Sequence, residues 1–365
     1  MPSEKKKLKA DKKPAMLWVD ARKLSIEGQG WKKTVGPYDR FPARAKSTVP
    51  DPVWGLSRHS AGIAVRFVSS ASEIHCRWKL TSATLAMNHM PATGVSGIDL
   101  YVRLSCGEKN QRWHWTGIGR PEAQINEVKI ASGIPPGKHE FLLYLPLYNG
   151  VQSVEIGVPR KAKIVPAPAR PAGKAKPVLF YGTSITQGGC ASRPGMAYSA
   201  IIGRILDQPA INFGFSGNGR MDPPVVDLLC ELDPAVYVID CCPNLSPELV
   251  TERTEPLVRK LRQAHPKTPI ILVENIEYQA SAFLPDMRKN YTGKNVALCA
   301  AYKRLLTAGI KGLYYVPGKQ LFGKDGNATV DGVHATDLGF IRIAECLAPV
   351  IKKALRAPVP AALPR

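Results

Sequence analysis

Four short stretches in the second half of the chain carry side chains that could do acyl-transfer chemistry. Ser184 lies in FYGTSITQGG (180–189), directly behind the apolar run VLFY (178–181). A strand-to-helix turn there would expose the serine at a sheet edge, where backbone N–H groups and a helix start favour negative charge. Ser184 is then either a nucleophile whose attack creates an oxyanion or the N-cap of the next helix. A phosphate-binding P-loop needs Lys and Ser/Thr behind its last glycine, but Gly189 and Cys190 follow here, and no G-x-G-x-x-G is present.

The next two stretches are glycine-rich or helix-capping. Gly217 lies in GFSGNG (214–219), where glycines let a backbone N–H approach a ligand or simply make a flexible turn. Asn244 lies in DCCPNLSPE (240–248) and could donate its amide to an oxyanion or cap a turn. The last stretch, DGVH (331–334), places Asp331 three residues before His334. A carboxylate at that spacing can accept from the imidazole Nδ1–H and leave Nε2 as a base. The other reading is a histidine satisfied within a turn.

These positions need a frame that gathers strand ends. VLFY, AINF (210–213), AVYVI (235–239), PIILVE (269–274) and GLYYV (312–316) are short apolar runs separated by helical stretches. That rhythm predicts a parallel sheet covered on both faces, with its active site at the carboxyl ends of the strands. One helix start is plain: Ser246 as N-cap, Pro247 first, then apolar residues through Leu257 and Leu261.

The first half has a period of two instead. In EIHCRWKL (73–80), Ile74, Cys76, Trp78 and Leu80 share one face and Glu73, His75, Arg77 and Lys79 the other. In GIDLYVRL (97–104), Ile98, Leu100, Val102 and Leu104 oppose Asp99, Tyr101 and Arg103. GIAVRFVS (62–69), EFLLYLPL (140–147) and SVEIGV (153–158) read as further strands. Such alternation predicts antiparallel sheets with one polar face, arranged as a jelly-roll-like β-sandwich. The expected domains are a basic tail (1–15), the sandwich (16–158), a Pro/Ala/Lys linker (159–177), the α/β domain (178–357) and a C-terminal tail (358–365).

The chain has 365 residues, 44% hydrophobic and 22% charged, which suits two globular domains. No apolar run reaches the roughly eighteen residues of a membrane span. The lysines within residues 5–13 have no apolar stretch behind them, so no complete signal peptide is read, and the chain is expected in the cytoplasm unless an export signal lies elsewhere. The formal charge of +21 favours anionic partners, or is a solvated surface. Specific nucleic-acid reading is not expected, because zinc-finger and RNP motifs are missing. The eight cysteines form no C-x-x-C pair and are expected to be buried free thiols. No metal or cofactor is expected.

In order and spacing, residues 178–356 resemble the SGNH (GDSL-type) hydrolases. The family's four blocks match as Ser184 in GTSIT, Gly217 in GFSGNG, Asn244 in CCPN, and Asp331 with His334 in DGVH. Thr183 stands where the family usually has Asp, and Pro243 and Leu245 flank Asn244 in place of the common G-x-N-D form. MPATGVSGIDLY (90–101) resembles the G-x-D-L-Y segment of a β-domain that precedes some bacterial SGNH esterases.

The resemblance implies a flavodoxin-like catalytic sheet, a Ser184–His334–Asp331 triad, and an oxyanion hole from the N–H groups of Ser184 and Gly217 and the Asn244 amide. Thr183, Asn218 and Val333 are expected to touch substrate. The loop NHMPATG (88–94) either lines the acyl or alcohol pocket or is a structural cap. The implied activity is hydrolysis of short acyl esters, foremost O-acetyl groups of a carbohydrate, and the basic charge would suit an acidic glycan. A lipid or lysophospholipid acyl hydrolase and a non-catalytic glycan-binding protein are the alternatives; a missing amphipathic lid helix counts against the former.

Overall fold

The computed structural model describes residues 15–103, 112–319 and 321–356. Leu104, Cys106, most of the N-terminal tail and the C-terminal tail lie outside them. The N-terminal domain contains strands β1 (Met16–Asp20), β2 (Ser25–Glu27), β3 (Ala64–Ser69), β4 (Glu73–Leu80), β5 (Ile98–Arg103), β6 (His114–Gly119), β7 (Ile125–Ser132), β8 (His139–Tyr144), β9 (Val151–Pro159) and β10 (Ile164–Pro166). They form two antiparallel sheets, β1-β9-β4-β7 and β10-β3-β8-β5-β6, with β2 paired to β3. Ile74, Cys76, Trp78 and Leu80 of β4 fill the space between the sheets with Phe67, Phe141 and Ile156, as the alternation predicts.

β5 departs from its expected pattern. Ile98, Leu100 and Val102 enter the sandwich core, yet Asp99 and Tyr101 on the opposite face are buried too. That face lies against the second domain rather than water. Asp99 accepts from Arg193 Nη1 and Gly195 N, each at 2.8 Å, and from Trp115 Nε1 at 2.9 Å. Three donors compensate for the desolvation that pushes this carboxyl up.

The second domain is a parallel sheet of β11 (Val178–Gly182), β12 (Ala210–Gly214), β13 (Val236–Asp240), β14 (Ile270–Val273) and β15 (Leu313–Val316), in the order β12-β11-β13-β14-β15. Alternate residues of each strand enter opposite layers: Val178 and Phe180 pack toward helices Tyr198–Leu206 and Asp337–Arg356. Leu179 and Tyr181 pack toward Pro223–Cys230, Pro247–Ala264 and Pro285–Thr307. Burial on both sides is why these strands read as unbroken apolar runs. Ser246 caps its helix as expected, accepting from Leu249 N at 3.3 Å. Cys76, Cys190, Cys230, Cys241, Cys242 and Cys299 are free thiols. No helix among the described residues is long and apolar enough to cross a membrane.

The domains share their cores. Phe41, Ala45, Val49 and Val53 join the layer beneath Leu179 and Phe213, while Met90, Val95 and Leu147 join the layer beneath Phe180 and Tyr198. The stretch expected to be a linker is only partly one: Ile164–Pro166 is β10, paired to β3. Arg170 bridges the domains, at 2.8 Å from Glu27 and 3.0 Å from Asp207. The proline-rich composition marks where the chain crosses, not a break in packing.

Removing the Asp99 carboxylate leaves Arg193 half-buried without its partner. Asp99→Ala should therefore destabilise the chain by about 3 kcal/mol, read as a lowered urea midpoint. A loss under about 0.5 kcal/mol would show that this contact does not hold the domains together.

Candidate active site

Order 2-1-3-4-5 places the sheet's switch point between β11 and β13, where the connections leave in opposite directions and open a crevice at the carboxyl ends. Ser184 begins the short helix Ser184–Gln187 directly behind β11. Thr183 supplies the cap: its Oγ1 accepts from Ile185 N at 3.3 Å, and its own N–H donates to Thr186 Oγ1 at 3.3 Å. The reading of Ser184 as cap thus moves one residue back, leaving the serine hydroxyl free for chemistry. Thr183, expected at the substrate, is fully buried with its side chain turned into the cap.

Ser184 Oγ lies 2.9 Å from His334 Nε2, although 150 positions separate them in the chain. His334 Nδ1 donates to Asp331 Oδ2 at 2.7 Å. Asp331 Oδ1 also accepts from the backbone N–H groups of His334 at 2.8 Å and Val333 at 3.0 Å. Partial burial raises the Asp331 carboxyl, but these hydrogen bonds and the imidazole outweigh it and hold the group down at about 2. It is therefore ionised at neutral pH and fixes the tautomer that leaves Nε2 as acceptor. The serine is 7% exposed, while the His334 and Asp331 side chains are 24% and 38% exposed.

The loops behind β12 and β13 meet the Ser184 turn. Phe215 N donates to Gly182 O at 2.9 Å. Gly219 passes so close to Gly182 that a Cβ would stand 2.0 Å from its carbonyl oxygen. Asn244 Oδ1 accepts from Gly219 N at 3.1 Å, which orients the amide and keeps Nδ2 as its donor end. Gly217 is exposed with φ +69, a conformation that favours glycine. Asn218 uses its amide within the loop, donating to Ser216 O at 2.9 Å. Ser184, Gly217 and Asn244 thus sit on adjoining turns at the switch point, with His334 opposite Ser184.

Several residues that build this site carry no signal in the sequence. Gln187, one turn after Ser184, accepts from Ser216 N at 3.1 Å and donates to Leu147 O and His59 Nδ1, each at 3.1 Å. Burial, aided by the Arg40 charge, lowers His59 to about 4, so its ring is neutral and can accept. Arg40 is fully buried and donates to Gly214 O at 2.6 Å and Asn212 O at 3.0 Å, pinning the end of β12. Tyr148 OH donates to Ser184 O at 3.3 Å. Lys294 is buried and donates to Pro243 O at 3.2 Å beside Asn244. Arg40, His59 and Tyr148 come from the β-domain, which therefore furnishes part of the wall of this candidate site. The loop 88–94 also reaches His334: the two ring centroids, of His89 and His334, lie 5.6 Å apart.

Beneath the nucleophile turn, Asp240 ends the central strand. Its Oδ2 accepts from Tyr198 OH at 2.8 Å and Thr186 Oγ1 at 3.3 Å, while buried Oδ1 has no partner. Burial pushes this carboxyl up to about 7, because desolvation disfavours its charged form. The folded chain then holds this proton where the unfolded chain has lost it. The associated stability is complete below the ordinary carboxylate pKa and is lost as pH rises through about 7. Asp240→Asn removes that dependence. Relative to the variant, the wild type should lose up to about 4 kcal/mol between pH of about 4 and about 8, measured by urea unfolding at each pH. Parallel profiles would show that Asp240 does not titrate there.

Residues 175–352 match the model of the GDSL-like lipase/acylhydrolase family. Residues 16–164 match the GxDLY model, described as the N-terminus of SGNH-hydrolase-type esterases. A Bacteroides ovatus protein described as a GDSL-like lipase superposes with a TM-score of 0.86 at 32% identity, over 96% of this chain and 100% of that one. A salicylyl-acyltransferase from a tetracycline biosynthetic pathway gives 0.74 at 18% identity, over 93% and 99%. A family two carbohydrate esterase from Clostridium thermocellum gives 0.55 at 17%, over 81% and 93%. The last two likenesses speak to fold alone. No curated protein matches the chain.

Proposed function

This chain belongs to the GDSL-like lipase/acylhydrolase family and is a carboxylic ester hydrolase, and on that premise we propose that it is a serine esterase for short acyl groups, foremost O-acetyl groups of a carbohydrate. The observation that carries the reading is the relay Ser184 Oγ–His334 Nε2 at 2.9 Å and His334 Nδ1–Asp331 Oδ2 at 2.7 Å. Ser184 Oγ attacks the ester carbonyl as His334 Nε2 takes its proton, and Asp331 stabilises the imidazolium. The developing oxyanion is received by the N–H groups of Ser184 and Gly217 and by Asn244 Nδ2. His334 returns the proton to the leaving alcohol, then activates the water that cleaves the acyl-enzyme.

Two features favour a bulky, polar alcohol. His334 and Asp331 reach the surface, so an ester on a large saccharide can meet the triad without the saccharide being swallowed. The charge of +21 suits an anionic glycan. Proteins of the same fold include the Clostridium thermocellum carbohydrate esterase and a Butyrivibrio proteoclasticus acetyl xylan esterase.

Hydrolysis of p-nitrophenyl esters of increasing chain length, with acetate release from acetylated glycans, tests the proposal. The wild type should prefer acetate and release acetate from at least one glycan. Ser184→Ala should lose on the order of 10⁴-fold or more in kcat with its fold intact. A long-chain optimum would shift the substrate class to lipids, and full activity in Ser184→Ala would remove the mechanism.

A further inference from the structure

A set of soft metal ligands, drawn from both domains, stands beside the triad. One ring nitrogen each of His89 and His334, together with Cys190 Sγ, lie within 4.8 Å of one another. Two imidazoles and a thiol form a donor set suited to zinc. His89 belongs to the loop between β4 and β5, Cys190 to the turn after the Ser184–Gln187 helix, and His334 to the last loop before the C-terminal helix.

Both rings are prepared alike. His334 Nδ1 donates to Asp331 Oδ2 at 2.7 Å, and His89 Nδ1 pairs with Asn88 Oδ1 at 3.0 Å. An oxygen that can only accept fixes the proton on Nδ1 and leaves Nε2 with a lone pair. This is the support that metal-ligating histidines carry behind them. Cys190 is held at φ +72, a backbone rarely taken by a non-glycine residue, with Gly189 N and Ala191 N bonded back to Ser184 O and Gly188 O. The thiol is therefore set by its turn. Tetrahedral zinc, with bonds of about 2.0–2.3 Å, draws its ligands to about 3.5 Å from one another. The present spacing needs a closure of up to about 1.3 Å, within reach of His89 on its part-exposed loop.

We infer that the chain binds one zinc-class divalent cation through His89, Cys190 and His334, and that this ion silences the triad. On binding, the cation displaces the Cys190 thiol proton to solvent and accepts lone pairs from the sulfur and the two rings; no electrons are transferred. The His334 lone pair is then unavailable to the Ser184 proton. The silencing rests on His334 being the base proposed above, whereas the binding does not.

Calorimetric titration of the full chain with Zn²⁺, alongside Co²⁺ absorbance, tests this. The wild type should show one saturable site and a thiolate-to-cobalt charge-transfer band. His89→Ala and Cys190→Ala should bind Zn²⁺ at least about tenfold more weakly, and Cys190→Ala should lose the band. Ser184→Ala should bind as the wild type does. Zn²⁺ should inhibit p-nitrophenyl acetate hydrolysis with a midpoint that follows the calorimetric one, reversed by chelator. No saturable site, no cobalt–thiolate band in the wild type, or undiminished binding in both variants would overturn the inference. Bound zinc with undiminished hydrolysis would overturn the silencing, and zinc binding by a chain that hydrolyses no ester would instead sink the esterase reading.

Discussion

The hydrogen bond between Ser184 Oγ and His334 Nε2 spans 150 positions of sequence, and most of the architecture can be understood as what it takes to hold it. A serine hydroxyl is a poor nucleophile until a base stands within reach of its proton. A parallel sheet meets that need because it delivers successive strand ends to one edge. The capping box of Thr183 and Thr186 sets the start of the serine helix, and Asp240 and Tyr198 hold Thr186 from below. On the opposite side Asp331 fixes the imidazole through its ring and through its backbone N–H. Each partner is thus over-determined by its surroundings, the condition under which such a constellation stays preorganised.

The β-sandwich is part of that preorganisation. Arg40 inserts a fully buried guanidinium among carbonyls at the end of β12 and stacks over Phe215 at 4.8 Å. A buried cation without a carboxylate is tolerated because four carbonyl oxygens, of Asn212, Gly214, His59 and Leu56, receive its N–H groups. The loop carrying Gly217 leaves β12 directly after Gly214, so its course depends on a residue from the other domain. Gln187 and the neutral His59 repeat the arrangement one layer away. The packing gives a physical reason for the two domains to behave as one unit: residues of the first complete both hydrophobic layers of the second.

The sequence was most legible where one rule dominated. β4 follows its alternation residue for residue, and the five apolar runs of the second half are all strands of the parallel sheet. Ser246 and Pro247 begin their helix where capping chemistry puts them. Legibility failed where a specific hydrogen-bond partner, near or far in the chain, reversed the hydrophobic pattern. In β7, Ile125 faces solvent at 69% exposure while Asn126 turns inward, because Asn126 Oδ1 receives the N–H groups of Glu122 and Ala123. β1, β2 and β10 are short edge or near-edge strands specified by pairing rather than by pattern. Asp99 and Tyr101 read as solvated because nothing local announces Arg193. The meeting of Ser184, Asp331 and His334 was legible because their spacing and strand-end positions are chemical signatures. Arg40, His59 and Gln187 were not legible, since their contacts exist only through residues far away in the chain.

The central claim is that Ser184 is an activated nucleophile, and covalent capture tests it most directly. The full chain treated with a fluorophosphonate ester, then digested and examined by peptide mass spectrometry, should carry one phosphonyl group, on the peptide holding Ser184. His334→Ala should abolish that labelling while the chain stays folded. Labelling at another residue, or labelling of Ser184 that persists without the imidazole, would contradict the account.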